Sequence, residues 1–341
     1  MRAVSCAFAC PPKNHNLNLS LPPTLPERLQ SGDTVAVVSP ASPPHDPGVI
    51  DLSVAALEGL GFRPKLAPHA RKRHGFLAGT DRERARDLMR AFSDRKIKGI
   101  FCIRGGYGTG RLLHLLDYRV IQSNSKIFVG YSDITALHCA FLVKANLLSF
   151  HGPMLGPDIT KPDFPTFAVD NFVRTLTGNS VPDHTRGIRH GVPSDSIRIL
   201  RRGTASGRLI GGNLSILCSL MGTPYQPPFR GNILFLEDVD EPPYRVDRML
   251  THLLNAGVLQ TVAGVAVGMC ENCVDPKAKT AREYRQSLDD VLKERLTQLK
   301  VPVVAGLPFG HARYNATIPV GGKATLDAIR GDLIITSPVV K

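Results

Sequence analysis

Apolar and polar positions along this chain alternate between two rhythms. The run Thr34-Val35-Ala36-Val37-Val38-Ser39, closed by Pro40, is continuously apolar, as in a strand buried on both faces. Val49 to Leu60 carries apolar residues at helical spacing and stops at Gly61. Phe62 to Ala67 returns to a strand pattern, Asp81 to Ser93 reads as a charged surface helix capped by Thr80 or Asp81, and Gly99 to Ile103 is again a strand. A helix over Thr109 to Leu116, the strand Lys126-Ile127-Phe128-Val129, a helix from Ile134 to Leu142 and a short strand from Leu147 to Phe150 complete the alternation. Strands and helices in turn predict a doubly wound parallel α/β domain over residues 31–160.

The rhythm then breaks. Residues 161–205 hold Pro162, Pro165, Pro182 and Pro193 among polar and basic residues and read as a linker. Beyond it, Arg208 to Asn213 leads into a helix from Leu214 to Met221, followed by strand Asn232 to Leu236, helix Tyr244 to Ala256, strand Val262 to Val267 and helix Ala281 to Lys300. Short β-like pieces near Val303, Thr317 to Val320, Ala324 to Asp327 and Leu333 to Ile335 close the chain. Residues 206–341 are therefore expected to form a second, mixed α/β domain. Residues 1–30, rich in Pro and Asn and without periodicity, read as a poorly ordered tail.

Two domains suit a chain of 341 residues with 43% hydrophobic content, 31 Gly and 27 Pro. No stretch reaches the roughly 20 apolar residues that span a bilayer, so no membrane association is expected. The apolar part of Ala3 to Cys10 is short and broken by Ser5 and Cys6, a poor match to a signal sequence. Seven Cys without regular spacing favour a reducing, cytoplasmic setting. A formal charge of +13 raises the question of a nucleic-acid partner. With aromatics at 6%, no Trp and no interleaving of basic and aromatic residues, a basic solvated surface is the better account, and no nucleic acid is expected.

The sharpest chemical signal is Gly130-Tyr131-Ser132-Asp133-Ile134, where a strand hands over to a helix. A Ser on such a corner is pushed out of the sheet, with the N–H of the next residue aimed at any oxygen that turns anionic beside it. Ser-Asp before an apolar helix is also what an ordinary N-cap looks like, and Ile134 stands where the G-x-S-x-G elbow has its second Gly. A nucleophile needs partners, and each has a candidate. Glu237 ends the buried strand Ile233-Leu234-Phe235-Leu236, where a carboxylate can orient an imidazole; Asp238, Asp240 and Glu241 stand close by. His311 sits on the Gly-containing loop Leu307-Pro308-Phe309-Gly310-His311. Arg104-Gly105-Gly106-Tyr107-Gly108-Thr109-Gly110-Arg111 exposes backbone N–H groups between strand and helix, so the Gly106 and Asp133 amides are candidate oxyanion donors. The rival reading is a phosphate loop in a non-catalytic nucleotide- or ligand-binding protein, although the third Gly of G-x-G-x-x-G is missing. Cys270-x-x-Cys273 is a single pair, and no metal or cofactor is assigned to it.

These motifs together resemble the LD-carboxypeptidases, a serine peptidase family (S66) that includes muramoyltetrapeptide carboxypeptidases and microcin C immunity peptidases. The resemblance spans residues 31–330 and also rests on Ser39-Pro40-Ala41-Ser42, Gly79-Thr80, His151-Gly152-Pro153, Gly211-Gly212-Asn213-Leu214 and Tyr244-Arg245-Val246-Asp247-Arg248. It implies a flavodoxin-like N-terminal nucleophile domain and a smaller, β-rich C-terminal domain. Ser132 would be the nucleophile, His311 the general base and Glu237 its partner, split between the two domains of a homodimeric enzyme. The implied reaction releases terminal D-alanine from a murein tetrapeptide, with a microcin-like peptidyl-nucleotide as the alternative small substrate. A carboxypeptidase must also hold a free carboxylate, and Arg104 beside the glycine loop is the candidate clamp.

Overall fold

The computed structural model describes residues 21–178, 187–188, 196–275 and 286–341. The start of the expected tail (1–20), the stretches 179–186 and 189–195 with Pro182 and Pro193, and the first turn of the helix expected from Ala281 lie outside the described residues. In chain order the first half contains β1 (Thr34–Val38), α1 (Val49–Gly59), β2 (Arg63–Leu66), α2 (Asp81–Ser93), β3 (Ile97–Cys102), α3 (Tyr118–Ser123), β4 (Ile127–Gly130), α4 (Thr135–Ala145), β5 (Ser149–His151) and α5 (Thr166–Thr177). There follow β6 (Arg198–Arg201), β7 (Thr204–Asn213), α6 (Leu214–Leu220), β8 (Ile233–Glu237), α7 (Pro243–Asn255), β9 (Gly264–Met269) and α8 (Leu288–Leu296). The chain closes with β10 (Val303–Gly310), β11 (Ile318–Val320), β12 (Lys323–Asp327) and β13 (Asp332–Ile335).

Two sheets result. The first runs β11-β5-β4-β3-β1-β2, and its five parallel strands have the order of a flavodoxin-like sheet. Their carboxyl ends carry the loops with Ser39 and Ser42, the glycine cluster and Ser132. The second sheet is mixed, β13-β12-β7-β8-β9-β10-β6, with β7 to β10 parallel. Helix α4 lies where the two halves meet: its residues from Thr135 to Leu142 are all buried, which is what an apolar run without a polar stripe requires. One continuous apolar core passes from Phe128, Leu137 and Phe141 to Leu217, Phe235 and Phe309. A second cluster, with Val35, Phe101 and Phe172, fills the other face of the first sheet.

Several elements depart from the sequence expectation. The segment read as an irregular linker contains α5, whose buried Ala168, Phe172 and Leu176 recur every fourth residue. Pro165 ends the irregular stretch as its N-cap rather than breaking it. Residues 21–30 are tied down, not loose. Thr24 bridges to Leu147, Leu29 is buried, and the backbones of Pro26 and Arg28 bond to the terminal Lys341. The helix expected over Thr109 to Leu116 is replaced by two short 3-10 turns, because the Thr109 N–H and hydroxyl are both held by Asp133. A real helix, α3, starts just after, capped by the Asp117 carboxylate. Finally, β11, expected with the C-terminal half, pairs antiparallel with β5 of the first sheet; Pro319 is tolerated there because this is an edge strand. Among the described residues no helix is long and apolar enough to cross a membrane.

One buried cation fastens the loops that surround Ser132. Thr80 and Glu83 form a reciprocal capping box at the start of α2, which fixes the direction of that helix. From its first turn Arg84, only 1% exposed, donates to the carbonyl of Pro40 after β1 and to that of Gly108 after β3 (3.0 Å). Asp81 balances its charge at 2.5 Å and is itself held by Arg111. Truncation to Met would strip the Pro40 carbonyl of its donor, at about 1–3 kcal/mol, and would cost the Gly108 carbonyl the charged one of its two donors, the other being the Arg111 N–H at 3.3 Å. Arg84→Met is therefore expected to lower stability by about 2–5 kcal/mol in urea titration; a change within about 0.5 kcal/mol, the usual effect of a surface substitution, would show that the loops stand without it.

Candidate active site

Ser132 follows β4 with φ of 63°, in the left-handed region that costs a residue with a β-carbon about 1–2 kcal/mol. Its side chain does not serve as the helix cap that the local sequence also allowed: α4 starts behind Ile134 with no side-chain cap, and the 3-10 turn Ser132–Ile134 has none either. The neighbouring carboxylate has a structural task. Asp133 is buried and accepts the Thr109 N–H at 2.8 Å, while the Thr109 hydroxyl donates to the Asp133 carbonyl. Burial pushes the Asp133 pKa up despite these donors. Elbow and glycine loop are thereby locked together.

The loop reaches the serine because Gly105 has no side chain. A β-carbon there would stand 2.9 Å from Ser132 Cβ and 3.1 Å from its Oγ. From the loop after β1, Ser42 donates its N–H to the Gly105 carbonyl (3.3 Å) and accepts the Tyr107 N–H on its hydroxyl (3.2 Å). Gly106, with φ of 108°, lies between these anchors. Arg104 is half-buried; its Nη1 donates to the Pro43 carbonyl at 3.2 Å and its Nη2 lies beside Gly106.

The second sheet supplies the other candidates. Glu237 is the last residue of β8 and His311 follows the last residue of β10, yet β9 lies between these strands. The ladder explains how they meet. Val304 opposes Ala266, Leu307 opposes Gly268 and Gly310 opposes Met269, so β10 has extra residues on each step and curls over the end of β9. Gly310 completes the curl with φ of 99°; a β-carbon there would sit 2.7 Å from Glu237 Cβ and 2.9 Å from Oε2. His311 Nδ1 consequently lies 2.6 Å from Glu237 Oε2, with the carboxylate fully buried. Pairing with a carboxylate makes Nδ1 the protonated nitrogen and leaves Nε2 free to accept.

Electrostatics follow from that contact. Burial alone raises the Glu237 pKa, but the charge of His311 and its hydrogen bond outweigh burial and hold the carboxyl below its ordinary value. For His311 burial pulls the pKa down, while the charge and hydrogen bond of Glu237, assisted by Asp238 and Asp158, bring the net shift upward. The His311 ring stands edge-on to Tyr131, centroids 4.8 Å apart, and Tyr131 is the residue before Ser132. Ser132 and His311 themselves share no hydrogen bond in the described residues.

The remaining carboxylates near Glu237 have other partners. Asp238 accepts from Asn213 Nδ2 (2.9 Å) and from the N–H groups of Ser215 and Val239, and burial together with the Glu237 charge pushes its pKa up to about 6. Asp240 accepts from Asn272, and Glu241 pairs with Arg245. Tyr244 to Arg248 form the start of α7, with Tyr244 exposed beneath the Arg245 and Arg248 guanidinium groups. Sequence reasoning passed over His138, which is buried in α4 and bonds the Gly130 carbonyl through Nε2 and Ser149 Oγ through Nδ1, both at 2.8 Å. Burial lowers its pKa to about 3, so it stays neutral and braces the strand end before Ser132. An imidazole inside an otherwise apolar helix was the available signal.

The family model for the LD-carboxypeptidase N-terminal domain matches residues 35–152, and that for the LD-carboxypeptidase C-terminal domain matches residues 206–326. A probable murein peptide carboxypeptidase of Bacillus subtilis is 39% identical over 316 residues, covering 92% of this chain and 95% of the relative. The murein tetrapeptide carboxypeptidase of Pseudomonas aeruginosa is 33% identical over 301 residues, covering 87% and 94%. Among solved structures, the microcin C7 self-immunity protein MccF in complex with aspartyl sulfamoyl adenosine superimposes with a TM-score of 0.83 at 27% identity, over 94% of this chain and 100% of that one. The chain belongs to the LD-carboxypeptidase family of serine-type peptidases.

Proposed function

We propose that Ser132, His311 and Glu237 act as a catalytic triad that hydrolyses the L,D peptide bond of a murein tetrapeptide and releases terminal D-alanine. The observation that carries the reading is the 2.6 Å contact of His311 with buried Glu237, held against Tyr131 next to the strained Ser132. The Ser132 hydroxyl gives its proton to His311 Nε2 as it attacks the carbonyl, and Glu237 steadies the imidazolium. The Gly106 and Asp133 amides receive the oxyanion, the imidazolium protonates the departing amine, and water then releases the peptide from Ser132. The Ser132–His311 hydrogen bond forms with substrate in place, since such contacts are often loose in the free enzyme. Arg104, close to Gly106, holds the terminal carboxylate. The setting is the cytoplasm, on peptides recovered from the cell wall, and the working form is a homodimer.

The likeness to MccF bound to aspartyl sulfamoyl adenosine favours one second reading, cleavage of a peptidyl-nucleotide. Purified protein offered both compounds is expected to prefer the murein tetrapeptide; a strong preference for the peptidyl-nucleotide would replace the first reading by the second. Ser132→Ala is expected to lower kcat/KM by about 10⁴-fold or more, as loss of a triad member does elsewhere. Retention of D-alanine release by this variant would remove the nucleophile assignment.

The base must be neutral to accept a proton, and Glu237 raises the His311 pKa. Activity is therefore expected to fall on acidification with a midpoint above the ordinary histidine value of about 6.5. In Glu237→Gln the charge that raises it is gone, so the surviving activity should show its acid limb at lower pH. An unmoved or upward limb in the pH profile of that variant would contradict the pairing.

A further inference from the structure

Three buried side chains behind the Glu237–His311 contact have polar atoms without a hydrogen-bond partner among the described residues: Glu237 Oε1, both ring nitrogens of His151, and Asn315 Nδ2. Their neighbours bring them to one place. Asn315 Oδ1 accepts the N–H of Gly310 (3.2 Å), the residue packed on Glu237. His151 pairs with Ile318 across β5 and β11 and shares its face of the sheet, whereas Thr317, one residue before Ile318, turns to the opposite face beside Gly152 and takes no part. The His151 ring meets Phe235, two residues before Glu237, with centroids 5.4 Å apart, and Tyr131, which also contacts His311, at 5.9 Å. All three residues are fully withdrawn from solvent.

A buried carboxylate with one oxygen unpaired is costly, and so is an imidazole with neither nitrogen bonded. The donor inventory fits a shared partner. Neutral His151 has one donor and one acceptor, Asn315 has a free amide donor, and Glu237 Oε1 only accepts. An internal water needs two to four such groups.

We propose that an ordered internal water binds Glu237 Oε1, His151 and Asn315, and that through it His151 is a positioning residue that keeps Glu237 aimed at His311. Burial lowers the His151 pKa to about 4, so it serves as a neutral relay and not as a second base. The charged or titratable groups facing His151 and His311 are Glu237, Asp238, Asp158, Tyr131, His138 and each other. This inference rests on the triad reading.

The alternative, an imidazole that is simply unsatisfied, has the opposite consequences. Replacing an unpaired buried polar group with an apolar one of similar shape is neutral or stabilising. In that case His151→Phe would keep wild-type kcat and hold or raise Tm. With the water in place, His151→Phe deprives the anion of support, which destabilises the deprotonated Glu237–His311 pair. The acid limb of kcat/KM should then move up by about one pH unit, with kcat reduced about tenfold and KM little changed. His151→Gln, which retains a donor and an acceptor, should recover most of the loss. An unshifted profile in His151→Phe would overturn the proposal. Collapse of the triad reading would look different, because Ser132→Ala and Glu237→Gln would then keep activity. A crystal structure of the unliganded protein should show the water within hydrogen-bond reach of Glu237 Oε1 and His151; direct pairing of these side chains there would also overturn it.

Discussion

The hydrogen bond between His311 and Glu237 is the constraint around which the rest is arranged. It requires two residues from strands that are not neighbours to meet over the end of a third, and it requires a carboxylate to stay ionised with no solvent access. The first demand is met by the bulges of β10 and by Gly310, whose missing side chain makes room for Glu237. The second is met by the imidazole, since the attraction of the pair more than offsets the burial that would otherwise protonate Glu237. Either partner alone would be an expensive buried group. Together they leave an imidazole whose second nitrogen is fixed in tautomer and direction.

The first sheet answers with its own concentrated strain. Ser132 occupies a backbone region that a serine does not enter unforced, and the force comes from both sides. Asp133 pulls the glycine loop in through Thr109, Gly105 lies against the serine, and His138 holds the carbonyl of Gly130. Arg84 then pins the two outer loops from beneath. The link between the halves is equally local: the Asn213 N–H donates to Thr135 Oγ1 at 3.0 Å, joining the end of β7 to the start of α4, three residues after Ser132. A shift of either sheet is thus transmitted to the serine through few atoms.

The parts of this arrangement that were legible in the sequence are those set by local physics. Strands buried on both faces leave continuous apolar runs, so β1, β4, β8 and β9 stood out, and with them the positions of Ser132 and Glu237 at strand ends. Helix α5 was hidden because three buried residues among prolines and charges make a faint periodicity. The helix expected at Thr109 failed for a tertiary reason, the capture of Thr109 by a residue 24 positions away. The same holds for β11, whose three residues carry no sign of which sheet they join. His311 was legible as a residue on a glycine loop, but the curl of β10 over β9 that delivers it to Glu237 is a property of strand pairing. His151 was seen near the site, and only its burial without partners gives it a task.

The central claim is that the two sheets assemble one covalent nucleophile at Ser132. Acid quenching of the enzyme during turnover of a murein tetrapeptide, followed by mass spectrometry of its proteolytic fragments, tests this most directly. The account predicts a fragment containing Ser132 heavier by the acyl part of the substrate, that is, the peptide without its terminal D-alanine. An adduct mapped to another residue, or turnover with full burst-phase sampling and no adduct at all, would contradict it.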